Sequence, residues 1–385
     1  MPQQALRCVF MRGGTSKALV FHLEDLPADR EEWADIFLAA MGSPDEYGRQ
    51  LDGMGGGISS LSKVCVIGPP TRPDADVDFT FCQVSPRDAC VEFAGNCGNM
   101  TSAIGPFAID EGLVPRPDDG PTTVRIHNTN TRKIIHARFM VANGRAEVDG
   151  DFRIDGVSGS GAAIRLDFLD PGGARTSGVL PTGNAIDLIE IDGASPVEAS
   201  LVDAANPGVF VRASDFGLSG TETPEDIERN AGLLARLEDV RQAASVRMGL
   251  SADLSEAARQ QSQPKIALLA APAAAPLLSG AVLPATDQDI VCRMISMGRP
   301  HRAIPVTGAL CLAAACRIPA TIAAEAVSGS ARNEIRIGHP SGVTLVDAEF
   351  SQPPEGAHIE RATLYRTARR LFQGEVLYRA KRTPL

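Results

Sequence analysis

Aromatic residues and clusters of positive charge are scarce in this 385-residue chain. It contains one Trp and three Tyr, and its 37 Lys and Arg are outnumbered by 47 Asp and Glu, which gives a formal net charge of −10. Nucleic-acid binding relies on clustered basic residues and, for single strands, on aromatic side chains that stack on bases. The composition therefore argues against a nucleic-acid partner, and an anionic ligand would need a closed, locally positive pocket.

Long apolar segments are also missing. No run of about 18 apolar residues occurs, and the N-terminal residues lack the charged-then-apolar pattern of a signal peptide. We therefore expect neither membrane insertion nor export, and we expect a cytoplasmic location. The cysteines are scattered without CxxC pairs, which is typical of reduced thiols in an intracellular protein. The length and the hydrophobic content of 44% suffice for a large core, and the length predicts two domains or three.

The chain has none of the common signatures of metal, nucleotide or hydrolase chemistry. Its histidines show neither HxxxH nor HExxH spacing, no GxSxG elbow occurs, and the glycine-rich segment at 12–17 lacks the spacing of a P-loop. No GxGxxG run separates a clear strand from a helix. We expect no metal and no cofactor, so that proton transfer by side chains becomes the leading class of enzyme chemistry.

Short strand-like runs bounded by Gly, Pro and Asp dominate the chain, for example at 64–67, 77–81, 123–126, 134–141 and 342–350. Helices are predicted over 31–41, 100–113, 224–248 and 306–316. This mixture predicts an α+β protein in which sheets wrap around a few helices, and it disfavours regular βαβ repetition.

The segment GNCGNMT at 95–101 is the most informative, because it sets Cys97 between glycines where a strand-like run at 90–94 gives way to a helix. At a helix N-terminus, free N–H groups and the positive end of the dipole favour a thiolate and bind anions. Cys97 is thus a candidate acid or base beside a carboxylate site. The alternative is that Cys97 is only a small apolar residue at the start of a buried helix.

Two further segments combine glycine with polar and basic residues. RGGTSK at 12–17 follows a strand-like run and can present backbone N–H groups to an anion, although a tight hairpin with exposed polar residues fits equally well. In the second segment, glycines and serines at 53–62 lead into Lys63 at the start of an apolar strand. Lys63 is a candidate general base or a fixed cation beside an enolate, and the alternative is an ordinary lysine at a strand edge.

The two halves of the chain correspond weakly. A helix rich in small residues opens at 97–105 in the first half and at 307–313 in the second, and each follows a turn. Small residues on all sides suit a helix enclosed by sheet, so the pattern predicts two related domains. Two unrelated buried helices would give the same pattern.

Several ordered segments together resemble the PrpF protein family over almost the whole chain. They are MRGGTSK (11–17), MGSPD (41–45), QLDGMGG (50–56), SK (62–63), GNCGN (95–99), PTGN (181–184), HRAIPVTG (301–308) and GHPSG (338–342). The family includes 2-methylaconitate cis-trans isomerase, methylitaconate isomerase and 4-oxalomesaconate tautomerase. The resemblance implies the diaminopimelate epimerase-like fold, with two similar domains, each a sheet around a central helix, and an active site in the cleft between them.

From this resemblance we expect a first domain at 1–185, to which 360–385 returns, and a second domain at 186–359. Cys97 and Lys63 are expected to form the acid/base pair that moves a proton between the ends of an allylic system. Diaminopimelate epimerases use one cysteine from each domain. Here the second helix begins with PVTG at 305–308 and Cys311 lies inside it, which favours isomerisation of an unsaturated acid over two-thiol racemisation.

The expected ligand is a small unsaturated di- or tricarboxylate, held by donors that stabilise a dienolate. The candidate binding residues are Arg12, Gly13, Gly14, Thr15, Ser16, Ser62, Asn96, Gly98, Asn99, Met100, Arg302, Ser341 and Gly342. A tautomerase of 4-oxalomesaconate needs the same groups, and an inactive carboxylate-binding protein is the alternative from another class. No membrane partner is expected, and assembly into a homo-oligomer stays open.

Overall fold

The computed structural model describes residues 3–93, 97–115, 118–328, 334–354 and 356–379. The chain divides into two compact units. The first unit is formed by Met1–Asp167 together with Tyr365–Leu385, and the second by Phe168–Leu364. From the family resemblance, the division was expected after residue 185 and the return at residue 360.

The α-helices lie between runs of consecutive strands along the chain. The strands are β1 (Gln4–Gly13), β2 (Ser16–His22), β3 (Lys63–Gly68), β4 (Val77–Val84), β5 (Val91–Glu92), β6 (Gly120–Asn128), β7 (Lys133–Ala142), β8 (Arg145–Ala146), β9 (Ile164–Leu169), β10 (Asp187–Ile189), β11 (Val197–Ala204), β12 (Asn206–Arg212), β13 (Lys265–Ala270), β14 (Ala275–Pro276), β15 (Val282–Leu283), β16 (Ile290–Ser296), β17 (Arg299–Pro300), β18 (Ile335–His339), β19 (Gly342–Ser351), β20 (His358–Arg366) and β21 (Ala368–Tyr378). The α-helices are α1 (Trp33–Met41), α2 (Gly98–Asp110), α3 (Pro224–Arg229), α4 (Ala231–Arg247), α5 (Leu254–Arg259), α6 (Val306–Arg317) and α7 (Ile322–Ala326).

In the first unit, strands surround the helix α2. The hairpin β1–β2 is antiparallel, β2 pairs in parallel with β3, β3 pairs antiparallel with β4, and β4 pairs in parallel with β6. Helix α2 contacts β1, β2, β6, β7 and β21. A Cβ on Gly105 of α2 would lie only 2.7 Å from the Phe139 ring, so a small residue is required at this close approach. The enclosed helix predicted from its small residues is confirmed.

Helix α1 covers another face of the first unit's sheet. Its apolar side places Trp33 and Phe37 against Phe21, whose ring stacks on that of Phe37 at a centroid distance of 5.8 Å. The indole N–H of Trp33 donates to the carbonyl of Pro27 at 2.8 Å, so burial leaves no unpaired indole donor. This packing gives the first unit a hydrophobic core separate from the layer around α2.

The second unit repeats these pairings. Strands β11 and β12 are antiparallel, β12 pairs in parallel with β13, β13 pairs antiparallel with β16, and β16 pairs in parallel with β18. Helix α6 packs against β11, β12 and β19, and its Gly308 lies close to the sulfur of Met294. Helix α4 covers a second apolar layer of this unit. The predicted α+β architecture, with a sheet around a central helix in each unit, is therefore confirmed.

The predicted helix at 224–248 is wrong as a single element. It consists of α3 and α4, which are separated at Asn230, where the backbone leaves helical geometry with φ −97° and ψ 81°. The side-chain oxygen of Asn230 accepts from the N–H of Leu233 at 3.0 Å and so caps α4. An asparagine that caps a new helix competes with continuation of the preceding one, which the hydrophobic pattern alone did not reveal.

Other boundaries shift by a few residues. Helix α1 begins at Trp33 after a 3₁₀ turn, and the strand expected at 90–94 is β5, which covers Val91–Glu92. Helix α2 ends at Asp110, because Gly112 adopts a left-handed conformation with φ +70°. In the part of the chain that the structure describes, no helix is long and apolar enough to span a membrane. Among the same residues, no group of three or more His, Cys, Asp or Glu is arranged to hold a metal ion.

Candidate active site

Helix α2 of the first unit begins immediately after Cys97, as the sequence predicts. Cys97 is the N-cap residue, with φ −113° and ψ 94°, and its thiol is partly exposed and makes no capping hydrogen bond. Its carbonyl accepts from the N–H of Thr101 at 3.0 Å, which starts the helical ladder. The N–H groups of Gly98, Asn99 and Met100 precede that ladder, so they are the free donors of this helix end. A thiol and a set of anion-binding donors therefore lie together.

Most other cysteines are buried and chemically quiet. Burial raises the pKa of Cys8 to about 11 and that of Cys292 to about 12, so that both stay thiols at neutral pH. Burial also raises the pKa of Cys82, Cys311 and Cys316. Every cysteine is a free thiol, as expected for scattered cysteines, and apart from Cys97 only Cys90 is not buried.

Lys63 begins β3 and is 7% exposed. Its Nζ donates to Oε1 of Gln83 at 2.5 Å and lies 5.0 Å from the centroid of the Phe81 ring. The carboxamide of Gln83 is fixed in orientation, because its Nε2 donates to the carbonyls of Ser59 and Ser62. The ammonium is thus held by a neutral acceptor and an aromatic face, with no carboxylate among its partners in the described residues.

Cys65 links Cys97 to Lys63 electrostatically. Burial raises the pKa of Cys65 well above its ordinary value, the nearby Cys97 and Cys82 raise it further, and Lys63 lowers it. Helix α2, which starts directly after Cys97, also contacts β3, which starts at Lys63. The structure therefore brings the two predicted catalytic residues into one region of the first unit.

The hairpin turn between β1 and β2 packs directly on the start of α2. A Cβ on Gly13 would lie 2.6 Å from the carbonyl oxygen of Asn99, and one on Gly14 would lie 2.2 Å from Oδ1 of the same residue. Gly14 also has φ +50°, and its N–H donates to the carbonyl of Thr367 at 2.9 Å. Glycine is required here because the turn and the helix end approach so closely.

A chain of polar contacts orients Thr15 at this turn. Nε of Arg366 donates to Oδ1 of Asn99 at 3.1 Å, and Nδ2 of Asn99 donates to Oγ1 of Thr15 at 3.0 Å. The hydroxyl of Thr15 accepts in this contact, so its own hydrogen is free to point to a ligand. Burial lowers the pKa of Arg366 to about 10, partly offset by Asp155. Arg366 thus places a buried positive charge behind the free donors of α2.

Two predicted binding residues hold loops in place. One guanidinium nitrogen of Arg12 donates to the carbonyls of Gly14 and Thr367, each at 2.9 Å, which clamps the hairpin turn. Ser62 is fully buried, and its hydroxyl accepts from Nε2 of Gln50 at 2.8 Å. The buried side chains of Ser16 and Met100 leave only their backbone groups for a ligand. Asn96 lies outside the residues that the structure describes.

The second unit contains Arg302, Ser341 and Gly342. Arg302 is exposed and pairs with Glu225, with 3.0 Å between Nη2 and Oε1. The hydroxyl of Ser341 donates to the carbonyl of Arg302 at 2.7 Å, and the backbone at Gly342 has φ +141°. Helix α6 has Pro305 as its N-cap, so the position that Cys97 occupies in α2 has no thiol here. Cys311 is buried inside the helix, as its place in the sequence indicated.

We expect Gly14→Ala to destabilise the protein by about 2–4 kcal/mol, because it combines a left-handed backbone with a clash against Asn99. The matched control is Gly112→Ala in the same unit, where φ is +70° but a Cβ would meet nothing within 4 Å. This control should cost only about 1 kcal/mol, the backbone contribution alone. Urea denaturation of both variants measures the difference, and equal losses would contradict the close approach of turn and helix.

The sequence alone did not indicate Arg366 or Gln83 as parts of the site. Arg366 lies 267 positions after Asn99 in the chain, so no local sequence pattern connects the two residues. Gln83 faces Lys63 across an antiparallel pair of strands, which only the register of β3 and β4 reveals. The local signal for Gln83 was its place as a polar residue near the end of β4.

Known proteins resemble this chain over almost its whole length. Residues 3–379 match the family model described as PrpF protein. The chain is 43% identical to 3-methylitaconate isomerase of Eubacterium barkeri over 377 residues, covering 97% of each chain. It is 38% identical to 2-methyl-aconitate isomerase of Cupriavidus necator, covering 98% of each. It is 39% identical to 4-oxalomesaconate tautomerase of Pseudomonas putida, covering 98% of this chain and 97% of the relative.

Solved structures of other proteins also resemble this chain. The crystal structure of a methylitaconate-delta-isomerase matches with a TM-score of 0.90 at 41% identity, covering 98% of this chain and 96% of that one. A hydroxyproline epimerase from Agrobacterium vitis, with a TM-score of 0.51 and 10% identity over 97% of this chain and 92% of that one, shares the fold alone, which is the diaminopimelate epimerase-like fold. The chain therefore belongs to the PrpF protein family and, like its relatives named above, is an isomerase.

Proposed function

We propose that this isomerase moves a proton within an unsaturated di- or tricarboxylate of the 2-methylaconitate, aconitate or 3-methylitaconate type, without a cofactor. Cys97 and Lys63 are the proposed acid/base pair. The observation that carries the proposal is the partly exposed thiol at the N-terminus of α2, with the buried Lys63 at the start of β3, a strand that α2 contacts. The names of the relatives support the substrate class.

The reaction needs two kinds of group. A C–H bond beside a carboxylate and a double bond is a weak acid, so a base must remove the proton while donors stabilise the dienolate that forms. The acid then returns a proton at the other end of the allylic system, or at the same carbon after rotation. The free N–H groups of Gly98, Asn99 and Met100 are suited to hold a carboxylate as it takes up enolate charge.

The remaining proposed binding residues act in different ways. Thr15 offers its hydroxyl hydrogen, and Gly13 and Gly14 allow close approach of the backbone. Arg12, Ser16 and Ser62 keep the surrounding turns in place. In the second unit, Arg302, Ser341 and Gly342 are proposed to contribute donors for a carboxylate. Asn96 stays a proposal from the sequence alone.

A second candidate is a 4-oxalomesaconate tautomerase, which the relative from Pseudomonas putida supports. To separate the two, we would incubate the protein in D₂O with 3-methylitaconate, 2-methylaconitate, trans-aconitate and 4-oxalomesaconate in turn. Proton NMR would follow both isomerisation and deuterium uptake. Fastest turnover of one of the first three supports the leading proposal, and fastest turnover of 4-oxalomesaconate supports the tautomerase.

Absence of turnover on all four compounds would count against both candidates. Stabilisation of the protein by these compounds without any deuterium uptake would favour a carboxylate-binding protein without catalysis. The test therefore separates the substrate from the class of function.

A further inference from the structure

The end of strand β20 connects to the hairpin turn at Thr15 through hydrogen bonds within the first unit. Arg366 is the last residue of β20 and belongs to the first unit, as do Asn99 and Thr15. The residue is only 8% exposed. Its Nε donates to Oδ1 of Asn99 at 3.1 Å, and its Nη1 donates to the carbonyl of Tyr365 at 2.9 Å. A buried guanidinium therefore lies directly against a residue in the first turn of α2.

The guanidinium fixes the orientation of the Asn99 carboxamide. A guanidinium carries donors and no acceptor, so it can face only the oxygen end of the carboxamide. The nitrogen end then faces Thr15, where Nδ2 of Asn99 donates to Oγ1 at 3.0 Å. A reversed carboxamide would place two donors, Nδ2 of Asn99 and Nε of Arg366, against each other. Arg366 thus decides which end of the carboxamide meets Thr15.

The hydroxyl of Thr15 is polarised in turn. A threonine hydroxyl has one hydrogen to donate, and here its oxygen already accepts from Asn99. Among the described residues that hydrogen has no acceptor, and Thr15 is exposed. The turn rests on the first residues of α2, since a Cβ on Gly13 would lie 3.0 Å from Cα of Met100. Thr15 therefore presents an unused O–H donor beside the free N–H groups of α2.

We propose that Arg366 and Asn99 are positioning residues that set the polarity of Thr15, so that Thr15 donates its hydrogen to a carboxylate of the substrate. The inference rests on the proposed function, because it assumes a carboxylate bound at the start of α2. An ionised carboxylate only accepts hydrogen bonds, so it requires a donor at this position. Arg366 and Asn99 act on the ligand through Thr15 and do not touch it.

Asn99→Asp tests the polarity, because it keeps the shape of the side chain and removes its donor. One carboxylate oxygen would pair with Arg366, and the other would accept the hydrogen of Thr15 and so withdraw it from the ligand. Isothermal titration calorimetry on the full chain uses tricarballylate, whose carbon chain has no double bond to move. Asn99→Asp should weaken tricarballylate binding by about 10- to 100-fold, with an unchanged or raised Tm.

A double-mutant cycle separates polarity from charge repulsion, since the new carboxylate could also repel tricarballylate. Thr15→Val removes the hydroxyl and should itself weaken binding by about 10- to 100-fold. In the Thr15→Val background, Asn99→Asp should cost less than about threefold if it acts through Thr15. Asn143→Asp adds the same charge at an exposed position of the same unit, outside this chain of contacts. This matched control should keep wild-type affinity.

Arg366→Met removes the donor that holds the carboxamide of Asn99. Asn99 could then adopt either orientation, and we expect tricarballylate affinity to fall by about 3- to 10-fold, with no further loss in the Thr15→Val background. Arg366→Lys keeps a donor and should recover most of the affinity. With the best substrate, KM should rise by a similar factor in Arg366→Met while kcat stays within about threefold. If Arg366→Met does not fold, Asn99→Asp tests the inference by itself.

Unchanged tricarballylate affinity in Asn99→Asp would overturn the inference. A loss that persists in the Thr15→Val background would also overturn it, because that result assigns the effect to repulsion. A wild-type protein that does not bind tricarballylate would count against it in the same way. Failure of the proposed function looks different, since the wild-type protein would then turn over none of the four unsaturated acids.

Discussion

Cys97→Ser is expected to lower kcat/KM for the best unsaturated carboxylate by about 10²- to 10⁴-fold. Serine has nearly the size of cysteine, and its hydroxyl can cap a helix, so the start of α2 should persist. The hydroxyl is far less acidic than a thiol, so it can neither accept nor return a proton at a useful rate near neutral pH. The measurement is the rate of isomerisation and of deuterium uptake by proton NMR.

Cys90→Ser is the matched control, because Cys90 is an exposed free cysteine of the same unit. It should keep wild-type kcat/KM. Labelling with iodoacetamide gives a second readout, since Cys97 and Cys90 are the only thiols not buried. Tricarballylate, a saturated tricarboxylate that cannot isomerise, should protect Cys97 but not Cys90 from labelling by iodoacetamide. Full turnover by Cys97→Ser would contradict a role of Cys97 in the mechanism. So would labelling of Cys97 at the same rate with and without tricarballylate, as expected for Cys90.

Lys63→Met is expected to lower kcat/KM by a similar factor, about 10²- to 10⁴-fold, without lowering stability. Lys63 is buried, with 7% of the residue exposed, and the partners of its ammonium are a carboxamide and an aromatic ring. Replacing a buried cation that has no carboxylate partner by an apolar side chain of similar length removes a desolvation cost. Loss of activity together with an unchanged or raised Tm would mark a group kept for function.

The measurement pairs kcat/KM with thermal unfolding of the same preparation. Lys133→Met at the start of β7 is the control and should keep activity. A Tm that falls by several degrees in Lys63→Met would mean that Lys63 supports the fold, and the lost activity would then say nothing about proton transfer. Wild-type activity in Lys63→Met would eliminate Lys63 as acid or base.

The proposed acid and base roles of Cys97 and Lys63 can be separated by experiment. The free N–H groups and the dipole at a helix N-terminus favour an anion such as a carboxylate, which supports a place for the substrate beside Cys97. In the proposed mechanism Lys63 and Cys97 form the acid/base pair, and either residue can take the first proton. A variant that still exchanges deuterium into the substrate but no longer isomerises it has lost the residue that returns the proton. The other residue of the pair is then the one that removes the first proton.

The sequence by itself determined the local features of this site. Glycines on both sides of Cys97, followed by small apolar residues, predicted a helix that begins there, and α2 begins at Gly98. The glycines at 13 and 14 indicated a turn, either one that binds an anion or a tight hairpin, and β1 and β2 form a hairpin there. The clash that a Cβ would make with Asn99 shows why glycine is needed. Enclosed helices in both halves were predicted from small residues on every side. Each of these features depends on residues that are near one another in the chain, where propensity and sterics act directly.

Tertiary structure alone decided the partners that make these residues useful. Gln83 meets Lys63 because of the register between β3 and β4, and Arg366 reaches Asn99 because the end of the chain returns to the first unit. The helix at 224–248 breaks at Asn230, where a cap competes with a continuous apolar pattern. Pairing between distant segments depends on the packing of the whole unit, which no local sequence pattern encodes.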